Sequence, residues 1–229
     1  EKVLKFNDIK INLNNNDILI PELVTLKKNK KYLVSGKLIT KDTNLKKDEI
    51  NRIISDDFKK LDIQKILFSS KNDFNFEINK NLKLKNLDIK SDINLDNIEI
   101  KNFLVLNNIF PKIKNNLIFR NQKLKIEYNK KKLNISGKGE TLLQNEIDKI
   151  EYEIHKENNK IEFKTKLKIL KNSFNLDILN YKKSKNSDLE LSLKGQSNIQ
   201  GKLIFDKISL TEKNNIISIK NLILSKDYK

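Results

Sequence analysis

Five stretches of this chain place apolar residues at the first, third, sixth and eighth positions of an eight-residue unit, with two polar residues at positions four and five. They are Leu4 to Ile11, Leu82 to Ile89, Ile93 to Ile100, Leu203 to Leu210 and Ile217 to Leu224. Apolar residues at alternate positions line one face of a strand. The second polar residue shifts that alternation by one, which would turn half the apolar set outward unless the backbone bulges there. The unit is therefore a strand with a built-in bend.

The same alternation fills most of the remaining text. Residues 3–40 read as three or four strands, with turns at Asn14 to Asp17 and at Lys28 to Lys30. Ile63–Ser69 and Phe74–Ile78 read as two more strands. From Leu117 to Leu224 the pattern is nearly unbroken. Here it places on one face Leu124 and Ile126, Leu133 and Ile135, Ile161 and Phe163, Leu167 and Ile169, Phe174, Leu176 and Ile178, and Leu189, Leu191 and Leu193. Separators such as Asn129-Lys130-Lys131, Asn158-Asn159, Lys171-Asn172 and Lys182–Ser187 are short and polar, so consecutive strands should pair antiparallel as a meander.

One segment departs from this period. Ile50, Ile53, Ile54, Phe58 and Leu61 fall at helical spacing within about 45–61, with Thr43 or Asn44 as cap and Asp48 and Glu49 in the first turns. This amphipathic helix either packs on the sheet or plugs one end of its apolar face. Residues 103–118 are irregular, with a short helix or loop stopping near Pro111. No change of composition marks a linker, so residues 1–229 read as a single unit, and the lack of an initiator Met suggests a segment of a longer protein.

Size then constrains closure. A dozen strands about 4.8 Å apart make a sheet roughly 55–60 Å across, with strands roughly 27 Å long. A helix of about 15 residues spans only roughly 22 Å and cannot cover it. The sheet must fold into a sandwich, close into a barrel, or remain an open trough. A trough would hold apolar guests, with acyl chains the natural ones.

Composition changes the picture little. Of 47 basic residues, 45 are Lys, and only Arg52 and Arg120 are Arg; Asn numbers 34 and Ala is absent. The formal charge of +17 is spread over Lys. Nucleic-acid readers use Arg forks and stacking aromatics, and neither is clustered here, so no nucleic-acid partner is expected. There is no Cys, hence neither disulfides nor thiolate metal sites. The single His155 has no partner in view, and Asp56-Asp57 lies on the polar flank of the helix. Gly137-Lys-Gly139 lacks P-loop spacing and fits a bulge or bend better. No catalytic residue, metal site or cofactor is assigned, and an enzyme is not expected.

The bend units, with the runs Leu124-Lys-Ile126-Glu-Tyr128, Leu133-Asn-Ile135-Ser-Gly137-Lys-Gly139, Ile147-Asp-Lys-Ile150-Glu-Tyr152-Glu-Ile154 and Gly201-Lys-Leu203-Ile-Phe205, resemble the AsmA-like proteins of the bacterial envelope, in particular their YhdP-type branch. The resemblance covers most of the chain and rests on texture, not on a catalytic signature. It implies a segment of a periplasmic bridge-like lipid-transfer protein, anchored to the inner membrane by an N-terminal span this segment lacks. Its partners would be phospholipid, and membranes reached through other parts of the parent protein. Pattern and resemblance together predict a mainly β fold: a long curved antiparallel meander forming an open apolar groove. Its candidate lining is Leu82, Leu84, Ile93, Leu95, Leu203, Phe205, Ile217 and Ile219, with the alternating residues named above from Leu124 to Leu193. The alternative is a non-conducting β-sandwich scaffold or adhesin that binds through its charged face.

Overall fold

The computed structural model describes residues 2–53, 61–101, 109–184, 187–197 and 202–224. Twelve strands form one antiparallel sheet: β1 (Lys2–Leu13), β2 (Asn16–Lys28), β3 (Lys31–Lys46), β4 (Ile63–Ile78), β5 (Leu84–Lys101), β6 (Asn116–Asn129), β7 (Lys132–Leu142), β8 (Asp148–Glu157), β9 (Lys160–Ile169), β12 (Leu189–Ser197), β13 (Leu203–Glu212) and β14 (Asn215–Leu224). A separate two-residue ladder, β10 (Asn175–Leu176) with β11 (Tyr181–Lys182), lies in the connection from β9 to β12. Each strand of the large sheet pairs only with the sheet strand before or after it along the chain, and among the described residues β1 and β14 pair on one side only, so the sheet is not closed into a barrel. The exposed surface is 15844 Å². A compact monomer of 26.9 kDa would expose about 10,800 Å². Roughly half as much again remains open.

The bends appear where the eight-residue unit puts them. Asp8, Asn86 and Asn221, each the second polar residue of its unit, have φ of 54°, 52° and 57°. Asn and Asp tolerate this left-handed backbone better than other L-residues. In the remaining two units the first polar residue, Asp96 or Asp206, is passed over by the ladder between Phe68↔Leu95 and Leu67↔Asn97, or between Gly195↔Phe205 and Lys194↔Lys207. The register slips by one and the apolar residues on either side return to the same face. Further shifts at Asp42 (φ 47°) and Asn121 (φ 50°) bend β3 and β6. Pro21 sits at a shift in β2, where a missing N–H costs no ladder bond. Hairpin turns at Asn14-Asn15, Asn29-Lys30 and Lys130-Lys131 have positive φ at both residues, the handedness that matches strand twist.

Several expectations need correction. Ile63–Ser69 and Phe74–Ile78 are one continuous strand, β4. The Leu82 unit starts late: Leu82 lies in a turn at φ 56° and is 82% exposed, and β5 opens at Leu84. Asn79 causes this, its Oδ1 accepting from the N–H groups of Asn81 (3.0 Å) and Lys83 (2.9 Å). Phe174, Leu176 and Ile178 do not alternate along a sheet strand. After β10 the chain makes a 3-10 turn over Asp177–Leu179 and a left-handed residue at Asn180. The helix α1 (Lys47–Ile53) starts after Lys46, so Thr43 and Asn44 are strand residues and cap nothing. Its first turn is held by Glu49, whose Oε2 accepts from the Lys46 N–H at 3.0 Å. Ile50 is fully buried, as the helical stripe requires, and Leu61 is half-buried. The Ile53 side chain, Ile54 and Phe58 fall outside the described residues, as do Asp56 and Asp57.

Candidate apolar groove

Antiparallel register converts the alternation into rows that cross the sheet. One runs through all twelve strands: Ile11, Ile18, Thr40, Ser70, Ile93, Leu124, Gly137, Tyr152, Thr165, Leu193, Ile208 and Ile219. Beside it lies Ser91, Ile126, Ile135, Ile154, Phe163, Gly195, Phe205 and Leu222. A third row holds Ile89, Tyr128, Leu133, Lys156, Ile161, Ser197, Leu203 and Leu224. The apolar members of these last two rows are half-buried, while the intervening residues Lys125, Glu127, Asn134, Ser136, Glu153, Glu162 and Lys164 are exposed.

Aromatic rings smooth the floor. A Cβ on Gly137 would lie 2.5 Å from the Tyr152 ring, and one on Gly36 would lie 2.8 Å from the Phe74 ring. The glycines make room for rings reaching across from the neighbouring strand. Gly137 and Gly139 lie in β7, whose register against β8 is continuous, so the bend expected there belongs to the facing strand at Asn121. Above Gly139 sits Gln122, 2% exposed, donating to the carbonyls of Glu140 (2.7 Å) and Arg120 (3.2 Å).

The two margins of the groove differ. Tight connections lie along one: 29–30, 79–83, 130–131 and 158–159. The opposite margin has the tight turns 14–15 and 213–214 and also carries α1 and the segments 109–115, 143–147 and 170–184. Phe110, Leu143 and Phe174 from these segments pack on Leu167, Ile169, Leu189 and Leu210 of the sheet, with Leu117, Ile150, Leu176, Tyr181, Leu191 and Ile217 around them. Of the expected lining, Leu167, Ile169, Phe174 and Leu189 thus lie within this core and are 7% exposed or less. Ile93, Leu95, Leu124, Ile126, Leu133, Ile135, Ile161, Phe163, Leu193, Leu203, Phe205 and Ile219 sit half-buried on the same face. Leu84 is 53% exposed at the tight-turn margin.

Polar clamps hold the covering segments down. Asn172 donates to the Glu146 carbonyl (2.6 Å) and to Asp148 (2.7 Å), and the Leu170 N–H donates to Asp148 at 3.0 Å. Burial pushes the Asp148 carboxyl above its ordinary value, against the pull of these bonds. Glu212 accepts from the Tyr181 hydroxyl (2.7 Å), the Ser184 N–H (2.9 Å) and the Ser187 hydroxyl. Burial alone would raise its pKa, but the donors from Ser187, Tyr181 and Ser184 hold it at about 2. The Tyr181 hydroxyl is pushed up by burial and by the facing carboxylate. These clamps were not visible in the sequence, because each joins residues more than twenty positions apart.

A hydrogen-bonded polar cluster lies on the apolar face at β3 and β4. Thr40 and Ser70, both buried, share a 2.9 Å hydrogen bond, and Asn72 donates to Ser70 (2.8 Å) and to the Leu38 carbonyl (3.1 Å). The other face is ionic. Lys164–Glu153, Lys166–Glu190, Lys168–Asp188 and Lys132–Glu157 pair across strands at 3.6, 3.2, 3.2 and 2.9 Å. His155 contacts Asn134 Oδ1 at 2.5 Å and Glu157 at 3.6 Å on this exposed surface. No group of three metal-ligating side chains occurs among the described residues. No helix among them is long and apolar enough to cross a membrane.

Comparison with known proteins finds no matching family model, no matching curated protein and no matching solved structure.

Proposed function

We propose that this chain is a segment of a bridge-like lipid-transfer protein, in which phospholipid acyl chains travel along the apolar face while headgroups stay at the wet margin. The carrying observation is the pair of rows through Ile126, Ile135, Ile154 and Phe163 and through Tyr128, Leu133 and Ile161. They stay half-open to solvent across β6 to β9. The first row is apolar throughout β6 to β9 and the second is broken at Lys156 in β8; an exposed apolar patch of this kind marks a contact with something apolar. Strand pairing satisfies the backbone within the sheet, so a lipid tail meets side chains and not unpaired amides. Such a carrier needs no cofactor. Its place would be the periplasm, with inner-membrane anchoring and contact with both membranes supplied by the parent protein.

The test is direct. Chain purified from a bacterial periplasm should carry phospholipid detectable by mass spectrometry, and a photo-crosslinker at Ile126 should capture it. Ile154→Asp sets a charge among Ile135, Phe163 and the acyl chain, with no partner and a cost of several kcal/mol to a bound tail. It should abolish capture while circular dichroism stays unchanged, and Glu153→Lys on the opposite face should leave capture intact. Lipid-free protein in both assays, or equal effects of the two substitutions, sinks the reading in favour of a scaffold acting through its charged face.

A further inference from the structure

On the ionic face, charge alternates from strand to strand. One row runs Glu22, Lys37, Asp73, Lys90 and Glu127 across β2 to β6, changing sign at every step. Two lysines do meet at Lys123 and Lys138 and at Lys149 and Lys168. There a carboxylate closes the run on the next strand: Glu151 faces Lys138, Glu140 faces Lys149 and Glu190 faces Lys168. One row breaks this pattern. Lys164 of β9, Lys194 of β12, Lys207 of β13 and Lys220 of β14 face one another in succession, and all four are exposed. Like charges directly opposite destabilise a sheet, so nothing within the sheet explains this run.

The surrounding carboxylates leave the row in positive excess. Glu153 reaches Lys164 at 3.6 Å, whereas Glu162 is held by Lys160 at 2.6 Å and Glu190 by Lys166 at 3.2 Å. Asp206, in the bulge of β13, lines the same hollow as Lys164 and Lys194 and sets one negative charge against the four. Among the described residues no ion pair reaches Lys194, Lys207 or Lys220. Beside the lysines, Ser192, Ser209 and Ser218 face one another and add hydroxyl donors. On the other side Gln196, Ile204 and Ile223 share a row, so apolar side chains also reach this face. Ladder register sets all of these positions on the face of the sheet, and no edge is involved. None of them is an arginine or an aromatic ring, the groups that read or stack bases.

We propose that this strip docks the ionic face of β9, β12, β13 and β14 on an anionic phospholipid bilayer. Lys194, Lys207 and Lys220 meet headgroup phosphates while Ile204 and Ile223 rest in the interface. The proposal stands apart from the lipid-carrier reading, because the groove lies on the opposite face.

Flotation with vesicles of two parts phosphatidylcholine to one part phosphatidylglycerol tests it. The chain should float with these vesicles, not with phosphatidylcholine alone, and salt should release it. Lys194→Gln, Lys207→Gln and Lys220→Gln together should weaken binding roughly a hundredfold, at about fivefold per lysine. Lys37→Gln, Lys90→Gln and Lys125→Gln remove the same charge from the same face. They lie beyond a Debye length of about 8 Å from the row, so binding should stay within about twofold. Ile154→Asp in the groove should leave vesicle binding intact, which separates this contact from lipid carriage. Equal loss in the two triple variants would assign binding to diffuse charge. Tighter binding to polyglutamate than to vesicles would assign the strip to an acidic protein. Loss with Ile154→Asp but not with the Lys194, Lys207 and Lys220 variant would assign binding to the groove. Each of these results, or no flotation at all, overturns the proposal.

Discussion

Replacing Glu212 by Gln tests whether Tyr181, Ser184 and Ser187 are held down by that single carboxylate. Three donors converge on it, from Tyr181, Ser184 and Ser187. Its folded pKa of about 2 lies below the ordinary 4.5. A difference of about 2.5 units corresponds to a ceiling of about 3 kcal/mol. Solvent screening at the end of β13 brings this down to about 1–2 kcal/mol. A depressed carboxylate contributes stability above its unfolded pKa and loses it on acidification, so the contribution is complete above pH 4.5 and fades toward pH 2. Near pH 7, Glu212→Gln should lower the thermal midpoint by about 2–8 °C, taking 2–4 °C per kcal/mol for a chain of this size. The gap should close steadily between pH 4.5 and about 2. Circular dichroism melts of both proteins at half-unit pH steps measure it. Other carboxylates, such as the one on Asp148, titrate alike in both proteins and cancel in the difference. A gap that is constant with pH would mean that Gln disturbs packing and that the carboxylate clamps nothing.

Ile50→Ala should lower stability by about 2–5 kcal/mol in urea unfolding, because the side chain is fully buried beneath the helix; a loss under about 0.5 kcal/mol would mean α1 does not seal its margin. Gly137→Val should cost about 1–3 kcal/mol and change the near-ultraviolet tyrosine signal, because the new side chain displaces the Tyr152 ring. An unchanged spectrum would show that the ring does not lie across that position.

The bends were legible because they violate a strict period: two polar residues in a row leave no other way to keep Phe205 and Ile208 on one face. The tight turns were equally plain, since Asn and Lys pairs interrupt the alternation where positive φ is needed. Phe174-Asn-Leu176-Asp-Ile178 misled because alternation describes any chain that buries every second side chain. Phe174 does so against Phe110 and Tyr181 and not within a ladder. Residues 70–73 separated the two strands expected at Ile63–Ser69 and Phe74–Ile78, yet they lie within β4. A polar residue on the apolar face is tolerated there because Asn72 finds Ser70 and the Leu38 carbonyl. The groove's outline was thus readable, whereas its covered margin depended on contacts between residues far apart in sequence.

Strand order that follows chain order has a consequence for how the protein comes into being. Every strand of the large sheet pairs with the sheet strand that precedes or follows it along the chain, the longest connection being the one that carries β10 and β11 from β9 to β12. Closure entropy is therefore incurred one connection at a time, which favours local assembly. Each hairpin can dock on the one before it as the chain leaves the ribosome, much as a stack of repeats grows from one end. By the same logic cooperativity is short-ranged. β1 to β5 lie apart from the core around Phe110, Ile169 and Leu189, so they can fray without dissolving β6 to β14. A length of such sheet can therefore gain or lose hairpins over evolutionary time while the strands that remain keep their register.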